Sequence, residues 1–157
     1  MNNRNKILQV FREHYNSDCN INFRRLKKII QPLINIRDSE ALLLFSMLLS
    51  SSESNIRKEL SFKFNEEAAN FGFPPAISAL AEYYYNKSDF YKCYPLYQKA
   101  ADMDEPHALY VLSAVYKFGL DGFEKDLKLS QEYEERAKKA KKWDFISGYN
   151  DEYIMYE

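Results

Sequence analysis

The sequence predicts an all-α protein, a right-handed α-solenoid of antiparallel helix pairs, on three observations. Glycine and proline number only 4 and 5 in 157 residues, while Leu, Ala, Lys and Glu abound, a composition poor in turn-formers and rich in helix-formers. Aromatic residues reach 16%, with 13 tyrosines among them. Tyrosine fills space between helices while its hydroxyl stays wet, which suits a thin, elongated fold. The sequence also repeats itself, and repetition at a fixed period is the signature of stacked helical units. FNEEAANFGFPPA (64–76) falls on LYQKAADMDEPHA (96–108) at an offset of 32, which superposes Ala68 on Ala100, Ala69 on Ala101, Pro74 on Pro106 and Ala76 on Ala108.

Two amphipathic segments lead the chain, residues 5–15 and 22–36, the second with apolar side chains at Phe23, Leu26, Ile29, Ile30 and Leu33 and an end or bend expected at Pro32. They read as a degenerate leading repeat that caps the array. The first full unit opens with ALLLFSMLL (41–49), whose Ala41, Phe45 and Ser46 precede Ala76, Leu80 and Ala81 by 35. In the middle unit Leu80 and Tyr84 precede Leu112 and Tyr116 of the last by 32. DFYKCYPLYQKA (89–100) then falls on DLKLSQEYEERA (126–137) at an offset of 37. Offsets that change from unit to unit place the length variation in one loop, and GLDGFEKD (119–126) carries the glycines that a long loop needs. Each unit is therefore a helix A, a variable loop, a helix B and a tight turn. Pro106 disfavours helix at Glu105 and preorganises the next first turn. Pro95, inside a helix B, predicts a kink there. Residues 145–157 read as a short closing helix with an acidic end. The expected boundaries are one domain over 1–157, with a capping pair at 1–37, repeats at 39–75, 76–107 and 108–144, and a C-terminal cap at 145–157.

Ala108, Leu112, Ser113, Tyr116 and Gly119, followed by a loop, and Asp89, Lys92, Cys93, Leu96, Tyr97, Lys99, Ala100 and Ala101 together form a pattern that resembles the Sel-one-like repeat, a branch of the tetratricopeptide superfamily. The likeness covers residues 39–145 in three copies. The first copy departs from the pattern at Leu49 and Arg57, and Ser46, Ala81 and Ser113 stand where the family has glycine. The resemblance implies a superhelix whose A helices line the inner face, and a role in binding proteins.

Several function classes find no support. MNNRNKILQVFREHY has no continuous apolar core of the kind a signal peptide carries, and ALLLFSMLL falls short of the roughly 20 residues a bilayer requires. Cys19 and Cys93 form no short motif and read as idle thiols in a reducing, cytoplasmic setting. His14 and His107, the only histidines, match no zinc spacing, and His107 reads as a first-turn surface residue. GLDG is a loop and cradles no phosphate, and the carboxylate pairs Glu66–Glu67 and Glu134–Glu135 read as solvated helix faces. No catalytic, cofactor-binding or metal-ligating residue is assigned, and no membrane contact is expected.

Charge is distributed unevenly. Residues 1–37 hold eight basic and two acidic side chains, +6; the rest hold 22 − 8 = 14 basic and 23 − 2 = 21 acidic, −7. An acidic body argues against nucleic acid as the main ligand and permits a basic protein partner. Arg24, Arg25, Lys27 and Lys28 form a basic patch on the second helix, read first as a solvated face, and KKAKK (138–142) complements a helix C-terminus. The resemblance places Tyr110, Lys117, Phe118, Tyr85, Glu82, Ser78, His107 and Met47 on the inner, partner-binding face; Leu43, Leu44 and Met47 of that face also read as packing on the N-terminal cap. The expected function is a non-catalytic protein-binding module, and more specifically a bacterial immunity or antitoxin-type protein that neutralises a toxin domain. The alternatives are an adaptor or chaperone for a secreted effector and an RNA-associated regulator acting through the basic N-terminal helices.

Overall fold

The computed structural model describes residues 3–17, 22–51 and 53–140. These residues form eight α-helices and no strand: α1 (Asn3–Ser17), α2 (Phe23–Asn35), α3 (Ser39–Ser50), α4 (Asn55–Asn70), α5 (Pro74–Tyr85), α6 (Phe90–Asp102), α7 (Pro106–Phe118) and α8 (Leu127–Lys139). The all-α class is as expected. Residues up to Phe73 make one compact unit and residues from Pro74 a second.

In the first unit α1 packs on α2, α2 on α3, and α3 most extensively on α4. The amphipathic pattern of α2 turns Leu26, Ile30 and Leu33 inward and leaves Arg24, Arg25, Lys27 and Lys28 exposed. The apolar run on α3 is a buried helix: Ala41 to Ser46, Leu48 and Leu49 are all enclosed. Asp38 caps α3 by accepting from the Ala41 amide at 3.0 Å. Arg4 of α1 binds Asp38 at 2.5 Å and Glu40 at 3.0 Å, and Arg12 binds Glu40 as well. Acidic side chains at a helix N-terminus complement its dipole, and here two arginines hold them in place.

In the second unit α5 pairs with α6, α7 with α8, and α6 also packs on α7. Small side chains sit where helices meet. Ser130 donates its hydroxyl to the Ser113 carbonyl at 2.9 Å across the α7–α8 contact. Ala81 and Cys93, the residues at the equivalent positions of α5 and α6, are buried too. So are Ala76, Ala100, Ala101 and Ala108.

The helix bounds carry the offsets of the sequence repeat. Both ends of α5 follow those of α3 by 35, α7 begins 32 after α5, and both ends of α8 follow those of α6 by 37. A single type of turn precedes each of α3, α5 and α7. Arg37, Gly72 and Asp104 take left-handed φ values of 55°, 77° and 53°. The next residue, Asp38, Phe73 or Glu105, donates its amide back to Leu33, Ala68 or Ala100 at 3.0, 3.3 and 3.1 Å. This closes the C-terminus of the preceding helix in a Schellman-type motif. The first of these turns ends α2, so α1 and α2 are joined to the array as a further helix pair would be.

Neither proline ends its helix. Helix α6 runs without a break from Phe90 to Asp102 through Pro95, and α2 continues past Pro32 to Asn35. Proline frees the carbonyl four residues earlier, which for Pro95 is that of Tyr91; both residues are exposed, a setting in which solvent can take up the lost bond. The expected closing helix at 145–157, together with Cys19 and the end of the KKAKK run, lies outside the described residues.

Candidate protein-binding surface

The inner-face residues assigned from the sequence separate into a buried framework and an exposed stripe. Ser78 on α5 and His107 on α7 belong to the framework. Ser78 is 0% and His107 6% exposed, and the Ser78 hydroxyl lies 2.9 Å from His107 Nδ1. The Tyr97 ring of α6 meets the imidazole edge to face, with centroids 5.8 Å apart. These residues tie three helices together and are buried, which removes Ser78 and His107 from the recognition face and corrects the reading of His107 as a surface residue. Burial drives the His107 pKa down to about 4, so the ring is neutral at physiological pH and is a poor proton shuttle there.

The exposed residues continue the same helix faces by spacing. Glu82 and Tyr85 follow Ser78 at i+4 and i+7 in the last turn of α5, and Lys117 and Phe118 end α7 on the face that His107 begins. Phe118 is 64% exposed, with the Lys117 ammonium 5.6 Å from its ring centroid. Tyr85 leans on Phe90, the first residue of α6, at 5.7 Å between rings. Tyr110 is half-buried. Tyr116 turns away from the stripe, stacking on Tyr133 at 5.9 Å and meeting Phe123 at 5.6 Å, as a packing residue should. Met47, half-buried on α3, belongs to the first unit, where Leu43 and Leu44 are buried. Two exposed aromatic rings, an ammonium and a carboxylate on a rigid support suit recognition of another protein, since rigid aromatics bury much area at little cost in rotamer freedom.

Other candidate groups are satisfied within the fold. Glu134 pairs with Lys138 at 2.5 Å and Glu135 with Lys139 at 4.0 Å, one helical turn apart on α8. Glu67 pairs with Arg37, and His14 Nδ1 lies 2.8 Å from the Val10 carbonyl. Cys93 is buried, and its thiol is pushed up to about 11, chiefly by loss of water. Among the described residues no three His, Cys, Asp or Glu side chains converge as a metal site would require, and no helix is long and apolar enough to cross a membrane.

Sequence reasoning missed two charged bridges. Arg37 meets Glu67 in the first unit, and Arg136 of α8 donates to Asp104 at 2.8 Å and to the Ala101 carbonyl at 2.6 Å in the second. The repeat offsets place Arg37 on Asp104 and Glu67 on Arg136, so one bridge is built twice with its charges exchanged.

No known family model matches the chain. The chain is similar to chitin synthase regulatory factor 3 of Schizosaccharomyces pombe, with 32% identity over 108 residues. That match covers 65% of this chain and 12% of the yeast protein, so the chain spans about an eighth of that relative's length.

Proposed function

We propose that this chain is a non-catalytic, protein-binding helical-repeat module of the Sel-one-like kind, acting as a regulatory adaptor. The observation that carries the reading is the exposed stripe of Glu82, Tyr85, Lys117 and Phe118 on α5 and α7, set on the buried Ser78–His107 tie. The recurrence of one left-handed turn before α3, α5 and α7 supports the repeat-family reading. The name of the yeast relative, a regulatory factor, supports a regulatory role. A finer reading makes the partner a basic toxin or effector domain that this chain neutralises, and it rests on the −7 charge of residues 38–157.

The test is affinity purification from the native host with the wild-type chain and with Tyr85→Ala and Phe118→Ala, checked by thermal melting. Loss of one stoichiometric partner in both variants, with folding unchanged, supports the reading. A partner retained by both variants overturns it. A basic partner whose toxicity is relieved by co-expression of this chain supports the finer reading, and an acidic or harmless one removes it.

A further inference from the structure

The first unit carries a second surface, unrelated to the α5–α7 stripe. Phe23, at the start of α2, lies beneath the Arg57 guanidinium of α4, 4.3 Å from ring centroid to carbon. At the other end, Arg37 just beyond α2 pairs with Glu67 near the end of α4. Contacts near both ends set α2 and α4 side by side in the same sense. Between the tie points, Leu60 follows Arg57 by three residues on the stripe that also holds Phe64 and Glu67, yet it is 40% exposed; Ile56 beside Arg57 is 72% exposed. Leu60 is thus an exposed aliphatic side chain on the stripe of α4 that the two ties turn toward α2, with exposed Ile56 one residue before Arg57.

The N-terminal end of this surface is strongly basic. Arg24, Arg25, Lys27 and Lys28 on α2 and Lys58 on α4 are exposed, and none forms an ion pair among the described residues. Arg57 adds a sixth cation. Helix α2 contains no acidic side chain, while Glu59 is the acid in the first two turns of α4. This placement is unfavourable for the isolated chain. Arg24 and Lys28 are like charges at i,i+4, Arg24 with Lys27 and Arg25 with Lys28 are like charges at i,i+3, and both helices carry cations in the first turn, against their dipoles. On α2 the rule is broken with no ion pair to Arg24, Arg25, Lys27 or Lys28 among the described residues, which points to compensation from outside the chain.

We infer that the α2–α4 surface binds an acidic amphipathic segment of a partner protein, its carboxylates on the cations of α2 and its apolar residues on Ile56 and Leu60. Nucleic acid fits less well. Base recognition on a single strand needs a free aromatic face, and Phe23 is covered by Arg57 and abuts Phe45 at 6.4 Å. A membrane fits less well too, because the apolar face of α2, Leu26, Ile30 and Leu33, is already buried.

The probe is a fluorescein-labelled helical peptide with one glutamate-rich and one leucine-rich face, titrated by anisotropy beside a labelled uridine oligonucleotide and anionic vesicles. Arg24→Glu with Lys28→Glu should weaken peptide binding at least about tenfold, as reversed charges do at a complementary interface. Leu60→Asp should do the same. Lys128→Glu, an exposed cation on α8, should change nothing, and melting curves should show every variant folded. If charge reversal weakens binding while Leu60→Asp does not, the contact is non-specific attraction and the surface assignment fails. Tighter binding of the oligonucleotide or the vesicles through the same cations overturns the choice of partner, and absence of binding by all three probes overturns the site. The α5–α7 stripe lies outside this measurement, so either surface can fail alone.

Discussion

Ser78 and His107, 29 residues apart in sequence, meet through a 2.9 Å contact that bridges α5 and α7 inside the second unit. Burial of the imidazole at this contact makes stability depend on acid. Burial holds His107 near pKa 4, against 6.5 in the unfolded chain. Between those values the unfolded state binds a proton that the folded state refuses. The stabilisation is therefore complete above pH 6.5 and is lost as pH falls from there towards 4. The loss should reach about 3 kcal/mol at most. Urea melts of the wild type and His107→Gln across that range should show a slope in the former that is reduced in the latter; parallel curves would mean the imidazole is not protected.

Ala100 is buried on α6, where its carbonyl accepts from the Glu105 amide. Ala100→Leu adds a branched side chain to a filled contact and should cost roughly 1 to 3 kcal/mol. Thermal melting reads this directly, and an unchanged midpoint would contradict the packing.

Gly72 and Asp104 occupy equivalent left-handed positions, at φ 77° and 53°. Nothing lies within 4 Å of a Cβ built on Gly72, so Gly72→Ala pays only the backbone cost, about 1 to 2 kcal/mol. Asp104→Gly relieves the same strain but forfeits the pair with Arg136. Asp104 is largely exposed and such pairs are worth about 0 to 1 kcal/mol, so the change should be close to neutral. Denaturant midpoints for the two variants should move apart accordingly.

The buried Cys93 thiol, held up near 11, should be inert. In a Cys19→Ser background, a thiol reagent at mildly alkaline pH should label the protein only after denaturant is added. Rapid labelling of the folded protein would show that the α5–α6 contact opens.

Phe118→Ala and Tyr116→Ala should separate binding from stability. Phe118 is exposed and should leave melting unchanged while weakening partner binding by about 1 to 3 kcal/mol. Tyr116 stacks on Tyr133 and should lose roughly 2 kcal/mol of stability. Calorimetric titration of the purified partner beside melting curves distinguishes the two.

The repeat register was legible because close helix contacts tolerate only small side chains, and alanine recurs at 41, 76 and 108 and at 68 and 100. The fate of Ser78 and His107 was harder to read, since serine and histidine are exposed more often than buried and their partnership spans two helices. A signal was present all the same: the alignment puts Ser78 on Leu43 and His107 on Pro75, both at buried positions. The unbroken path of α6 through Pro95 depends on solvent reaching the freed carbonyl, which residue identity alone does not disclose. Arg37 gave no cue to left-handed backbone by its own chemistry and Asp104 only the weak one that aspartate tolerates that region; their alignment with Gly72 carries the signal. The Arg37–Glu67 and Asp104–Arg136 bridges stayed hidden because exchanging the charges erases identity while preserving the contact.

The turns that enter α3, α5 and α7 are each three residues long, 36–38, 71–73 and 103–105, whereas the loops within pairs run 51–54, 86–89 and 119–126. Each invariant turn closes the helix behind it with that helix's own carbonyls, so a gene segment cut at these points carries its caps with it. Tandem duplication or deletion of such a segment preserves reading register between neighbours without redesign of either. Peptide insertions belong in the longer loops within pairs, and in 119–126 they must spare Asp121, which accepts from the Tyr94 hydroxyl, and Phe123, which packs on Tyr94 and Tyr116.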